Sequence, residues 1–327
     1  MMGRTVAVTG ANGFLASWIV KLLLERGYNV RGTVRNPDNL DKVRHLLELP
    51  GAKERLVLYK ANLLEEGSFH AIFDGVEGVF HVASPVPATM PDDLENNLLR
   101  PALQGTLTVL EAAKSYKSVK RVVVTSSTAA MFESEACREN GNAVIDETWW
   151  SDEEYCRSPQ SSLGLYSLSK TLAEKAAWNF AKEKGLDVVV MNPGVMVGPI
   201  LQGSVNASTW IVMNYLNGSL KKIPNRVFGF LHVKDAALAH IIGFEDPSAE
   251  GRYPLVERTI HAKELAEILR IICPNCPVPE KCEDNGPPRE ENYCSDKIKK
   301  LGVVLTSSVE ALRECVESIK AKKCINC

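Results

Sequence analysis

Six short runs rich in β-branched residues, "RTVAVTG", "YNVRGTVR", "RLVLYKA", "GVFHVAS", "KRVVVTSS" and "DVVVMNPG", recur along the chain, separated by helix-like stretches such as "FLASWIVKLLLERG", "LQGTLTVLEAAKSY" and "LAEKAAWNFAKEKG". Apolar residues within these runs are continuous rather than alternating. Such strands need cover on both faces, which parallel strands joined by crossover helices provide. The alternation therefore predicts an α/β fold built on a doubly wound parallel sheet. Gly27 and Gly185 stand where a left-handed residue ends a helix. The regularity weakens after about Pro193, and the Pro- and Cys-rich "CPNCPVPEKCEDNGPPREE" reads as a loop before a last amphipathic helix near "SSVEALRECVESIKAKK". Residues 1–193 are expected to form one domain, with roughly 226–260 returning to it, and 194–327 mainly a smaller substrate-binding lobe.

The first run ends in "VAVTGANGFLAS", which puts Gly10, Gly13 and Ala16 directly between a strand and a helix. In that context the glycines let the backbone turn and approach a pyrophosphate, held by the free N–H groups and dipole of the helix start. This is the dinucleotide fingerprint of a Rossmann fold, with alanine replacing the third glycine. The second strand ends in "GTVRNPDNLDK". An acidic residue there would accept from the ribose 2′-hydroxyl of NAD; Arg35 and Lys42 instead suit a 2′-phosphate, so the expected cofactor is NADP, as NADPH.

With 45% apolar and 24% charged residues and a formal net charge of −2, the 327-residue chain has ample core and no strong attraction for polyanions. A small molecule is the expected partner, with no nucleic acid and no membrane, and the chain is expected as a monomer or homodimer. "MMGRTVAVTG" has no secretory apolar segment and no run reaches membrane-spanning length, which points to the cytoplasm. The nine cysteines are then expected as thiols, and the sequons at Asn206 and Asn217 as idle. Cys273, Cys276 and Cys282, with Cys324 and Cys327 at the tail, give no clean pair of ligand couples, so no metal is expected.

The helix containing "SLGLYSLSKTLAEK" places Tyr166 and Lys170 four residues apart, on one face. "KRVVVTSSTAA" ends a strand in Ser126 and Ser127, at the carboxyl edge where open α/β sheets hold ligands. Glycine turn, serine and Tyr-x-x-x-Lys, in that order, resemble the short-chain dehydrogenase/reductase family. "DETWWSDEEYC", "YSLSKTLAEKAAW", "MNPGVMVGP" and "HVKDAALAH" are similar to its plant extended members, the cinnamoyl-CoA reductase-like and dihydroflavonol 4-reductase-like proteins. The resemblance implies that Tyr166 donates a proton to a carbonyl oxygen as hydride arrives, with its pKa lowered electrostatically by Lys170. It implies that Lys170 also holds the nicotinamide ribose and that Ser127, with Ser126 as the alternative, fixes the substrate oxygen. It further implies cofactor contacts at Gly10, Asn12, Gly13, Phe14, Leu15, Arg35 and Lys42. Asn62 and Leu63 fall beside the adenine, Val82, Ala83 and Ser84 under the dinucleotide, and Pro193, Gly194, Val195 and Met196 near the carboxamide, with Ser208 nearby.

Departures from the family pattern narrow the substrate. The Asn-Trp-Tyr-Cys-Tyr-Gly-Lys signature of the CoA reductases is replaced by "LGLYSLSK", and Trp149 stands where relatives pair a cysteine with Cys156. Phe132, five positions after the serine, cannot hydrogen-bond flavonoid hydroxyls. Phe132 and Leu165 are the expected apolar substrate contacts, with Trp210 and Met213 as further candidates for an acceptor wall. His81 reads as a packed strand residue, and His232 and Asp235 as helix-fixing. The expected activity is reduction of a hydrophobic, aromatic aldehyde or ketone in plant specialised, phenylpropanoid-type metabolism. Alternatives are a cinnamoyl-CoA reductase proper, a nucleotide-sugar epimerase or dehydratase on the same scaffold, and a non-enzymatic NADP-binding module.

Overall fold

The computed structural model describes residues 3–84, 93–139, 143–161, 163–284 and 291–325. Among these, twelve strands follow in order: β1 Thr5–Val8, β2 Asn29–Val34, β3 Leu56–Lys60, β4 Gly78–His81, β5 Arg121–Thr125, β6 Val144–Ile145, β7 Val188–Pro193, β8 Val195–Val197, β9 Val227–His232, β10 Gly251–Leu255, β11 Arg258–His261 and β12 Asn292–Tyr293. Seven of them form one parallel sheet in the order β10-β7-β5-β4-β1-β2-β3. The expected doubly wound Rossmann sheet is therefore present. Its continuous apolar runs have the predicted cause: all six residues of β7 are buried, whereas edge strand β3 leaves Val57 exposed.

Two apolar layers cover the sheet. On one side the helices Phe14–Glu25 and Val233–Glu245 pack together over Val6, Val8, Val123, Val189 and Met191. On the other the helices Arg100–Lys114 and Leu165–Lys184 pack together over Ala7, Val79, Val122, Val124 and Val190. The chain changes direction between β1 and β4, where connections leave toward opposite edges, and a crevice opens beyond the carboxyl ends of the strands at such a point.

β10 lies in the main sheet beside β7, while β9 pairs with β8 and β11 in a separate three-stranded sheet. β12 pairs with β6, which brings residue 293 to residue 145. The expectation of thiols throughout needs one correction: among the described residues seven cysteines keep their thiols, but Cys276 is disulfide-bonded. That expectation rested on compartment, which says nothing of which sulfurs the fold brings together. Cys327 lies outside the described residues, and no metal-holding cluster occurs among the described ones. No helix of the described residues is long and apolar enough to cross a membrane.

Candidate active site

Gly10 adopts φ +64°, and a Cβ there would meet Ala83 Cβ at 3.1 Å and Cα at 3.2 Å. Only glycine satisfies both demands. The helix Phe14–Glu25 starts at Gly13 without a side-chain cap, leaving its first N–H groups for a ligand. Thr9, which the sequence reading passed over, fixes the facing loop: its Oγ1 accepts from the N–H groups of Val82 and Ala83, both at 3.0 Å. Its own proton is thereby directed to His81 Nδ1, 3.0 Å away, while His81 Nε2 faces Thr106 Oγ1 at 3.4 Å. Burial, seconded by the Lys170 charge, pushes the His81 pKa down to about 3, so the ring is neutral.

Arg35 and Lys42 are exposed beyond β2, with no carboxylate partner among the described residues. Asn62 Oδ1 accepts from Leu64 N at 3.2 Å, leaving its amide protons outward. Leu63 lies against Gly105, where a Cβ would come within 2.8 Å of it. Pro193 ends β7, Gly194 donates to Leu255 O at 3.0 Å, and Val195 and Met196 pass into β8. Ser208 donates to Met196 O at 2.6 Å, so its hydroxyl proton holds that segment. An unobstructed turn, an uncapped helix start and two free cations fit a bound NADP.

Beyond β5 the two candidate serines differ. Ser126 is buried and donates to Glu174 Oε2 at 2.5 Å, which commits its proton. Ser127 begins the short helical turn Thr128–Ala130 and accepts from Ala129 N at 3.1 Å, with its hydroxyl beside the Tyr166 phenol. Lys170 Nζ lies 5.9 Å from the centre of the Tyr166 ring. The structure thus brings Ser127, Tyr166 and Lys170 together. Burial raises the Tyr166 pKa, and the Ser127 hydroxyl opposes the rise. The net shift of the phenol in this structure is upward, where the sequence reading expected it lowered. Burial brings Lys170 itself down to about 8, opposed by the Glu174 carboxylate.

Tyr166 also packs against a separate apolar cluster of Ala129, Met131, Phe132, Cys137 and Ile145, joined by Trp149, Leu163 and Tyr293. Phe132 is part of this wall. Leu165 is not: it packs with Leu99, Cys156 and Leu168, because neighbouring helix residues point about 100° apart. Met213 is buried in the main core and Trp210 is half exposed. Tyr293, also missed in the sequence, has its pKa raised by burial and then by Glu291, with Thr128 as an opposing hydrogen-bond partner. No local motif announces it, since pairing of β12 with β6 brings it in. His232 caps the helix Val233–Glu245 through Lys234 N at 3.0 Å, and Asp235 anchors Thr306 N at 2.6 Å.

A strand-end serine, a tyrosine and a lysine at the switch point of a dinucleotide-binding sheet define a class, the extended short-chain dehydrogenases/reductases. The model of the NAD dependent epimerase/dehydratase family matches residues 6–255. Cinnamoyl-CoA reductase CAD2 of Medicago truncatula is 47% identical over 326 residues, covering 99% of this chain and 98% of the relative. Among solved structures, vestitone reductase from alfalfa (Medicago sativa) superposes with a TM-score of 0.83 at 30% identity, covering 98% and 99% of the two chains. Yeast methylglyoxal/isovaleraldehyde reductase complexed with NADPH superposes with a TM-score of 0.86 at 28% identity, covering 98% and 100%. The chain belongs to the NAD dependent epimerase/dehydratase family and is an NADP-dependent oxidoreductase of its reductase branch.

Proposed function

We propose that this protein reduces the carbonyl group of a hydrophobic, aromatic aldehyde or ketone in plant phenylpropanoid-type metabolism, with Ser127, Tyr166 and Lys170 as its reacting residues. The carrying observation is the contact of Tyr166 with Ser127 on one side and with an aromatic wall of Phe132, Trp149 and Tyr293 on the other. Bound NADPH supplies a hydride to the carbonyl carbon. Tyr166 gives its hydroxyl proton to the carbonyl oxygen, so an alcohol forms and a phenolate is left. The Lys170 ammonium stabilises that phenolate, and the Ser127 hydroxyl aligns the oxygen before transfer. The apolar wall excludes water and takes the acceptor ring, each buried apolar side chain contributing roughly 1.5–3 kcal/mol.

The gap between Ser126 and Ser127 supports this assignment, since only Ser127 has a hydroxyl turned to the phenol. The relative named a cinnamoyl-CoA reductase favours a second reading, a CoA thioester acceptor. NADPH oxidation should be followed with phenylacetaldehyde, cinnamaldehydes, small ketones, cinnamoyl-CoA esters and dihydroflavonols. Free aromatic carbonyls are expected to give the highest kcat/KM, and a CoA ester in first place replaces this reading with the second. Turnover without net NADPH consumption would indicate an epimerase. Tyr166→Phe should lower kcat by about 100- to 10,000-fold while NADPH affinity stays near wild type.

A further inference from the structure

Glu174 lies eight residues after Tyr166 and four after Lys170, on the same face of the helix Leu165–Lys184. It is buried, and its carboxylate is saturated with donors from its own helix and from three other segments. Oε1 accepts from Arg252 Nε at 2.5 Å and Trp178 Nε1 at 3.3 Å; Oε2 accepts from Ser126 Oγ at 2.5 Å, Asn192 Nδ2 at 2.8 Å and Arg252 Nη2 at 3.4 Å. Asn192 Nδ2 also donates to Ser127 O at 3.2 Å, so one amide joins Glu174 to the backbone of the reacting serine. Arg252, on β10, continues outward. Its Nη1 donates to the carbonyls of Glu147, at 3.1 Å, and Trp149, at 2.5 Å, and its guanidinium lies 3.7 Å from the centre of the Trp150 ring. Trp149 is part of the acceptor wall.

We propose that the buried Glu174–Arg252 pair is a positioning device that sets Ser127, Lys170 and the Trp149 wall in register with one another. The inference rests on the reading of Ser127, Tyr166 and Lys170 as reacting residues. A buried ion pair is a poor way to gain stability, because a well-packed apolar replacement is often as stable or more so. What this pair does that an apolar pair does not is fix directions. It orients the two serines differently, ties the ends of β5, β7 and β10 to the catalytic helix, and puts one negative charge a helical turn from Lys170. Among the described residues, the charged and titratable groups around Lys170 are Tyr166 and Glu174 on its own helix and His81 on β4, with Arg252 of β10 paired to Glu174. Glu174 is the only carboxylate among these described groups, so its charge keeps the lysine protonated in the reacting state.

The test compares Glu174→Gln, the doubly neutralised Glu174→Gln/Arg252→Gln, and Tyr166→Phe in the full-length protein, with circular dichroism and melting to confirm folding. Glu174→Gln is expected to lower kcat by about tenfold or more and raise KM for an aromatic aldehyde, with the NADPH Kd changed less than about threefold. The alkaline limb of kcat should move to lower pH by about one unit, since Lys170 loses its counter-charge. The double variant removes the unpaired arginine and should recover melting temperature without recovering the limb. A double variant with wild-type limb and kcat would reduce the pair to a structural role and overturn the proposal, as would wild-type kinetics in Glu174→Gln. Near-normal activity of Tyr166→Phe sinks the triad itself, an outcome distinct from either.

Discussion

On the cofactor side of the crevice, Gly10, Gly13 and Phe14 lie within a single turn between β1 and the following helix. On the proposed acceptor side, Phe132, Trp149, Leu163, Tyr166 and Tyr293 come from segments spread between positions 132 and 293. The first region is built from backbone: a positive φ, an uncapped helix start and a loop hung on the Thr9 hydroxyl. The second is built from side chains whose only common property is where the fold delivers them. Backbone geometry is tied to the chain's local sequence, so the cofactor site tolerates little change, while a wall of side chains can be rebuilt one residue at a time. Under the proposed function, that difference separates the residues that carry the hydride-transfer chemistry from those that choose the substrate.

The contrast can be broken by substitutions that should act on one side only. Gly10→Val forces a β-branched residue into a left-handed conformation with its Cβ against Ala83. The strain of about 1–3 kcal/mol, if relieved by displacing the turn, weakens NADPH binding by up to about 100-fold. Titration calorimetry with NADPH measures it, and unchanged affinity would remove the backbone argument. Phe132→Ala should instead leave the NADPH Kd within about twofold and lower kcat/KM for aromatic acceptors by roughly 10- to 100-fold, from the loss of about 1.5–3 kcal/mol of apolar contact. A larger effect on small aliphatic ketones than on aromatic aldehydes would show that Phe132 does not meet the acceptor ring.

The smallest expected effect is on pH dependence. In the proposed reaction Lys170 works as a cation, so with its pKa brought down to about 8, kcat for reduction should fall by about half between pH 7 and pH 8 and continue falling above. A profile flat to pH 10 would contradict it. The same shift bears on stability with opposite sign to a salt bridge. A lysine whose folded pKa lies below its unfolded value of 10.5 makes folding less favourable while protonated, below about pH 8. That cost is relieved as pH rises from about 8 toward 10.5, because there the unfolded chain binds more protons. Lys170→Met should therefore melt higher than wild type at pH 7 while losing activity.

The sequence by itself determined the parallel sheet, the glycine turn, the preference for a 2′-phosphate and the tyrosine–lysine pair, because each is written in residues close together in the chain. Continuous β-branched runs have one economical burial, and a four-residue helical spacing has one geometry. Glu174 was half legible, since it repeats the spacing of Tyr166 and Lys170, yet nothing near residue 252 announces the arginine that meets it. The proposed choice of Ser127 over Ser126 turns on which hydroxyl that carboxylate captures, and the separation of Leu165 from the cluster around Tyr166 turns on the direction of one helix face. Tyr293 reached the wall only through the pairing of β12 with β6. Contacts between residues distant in the chain depend on how elements dock, and docking energies are sums over many side chains that no short stretch contains.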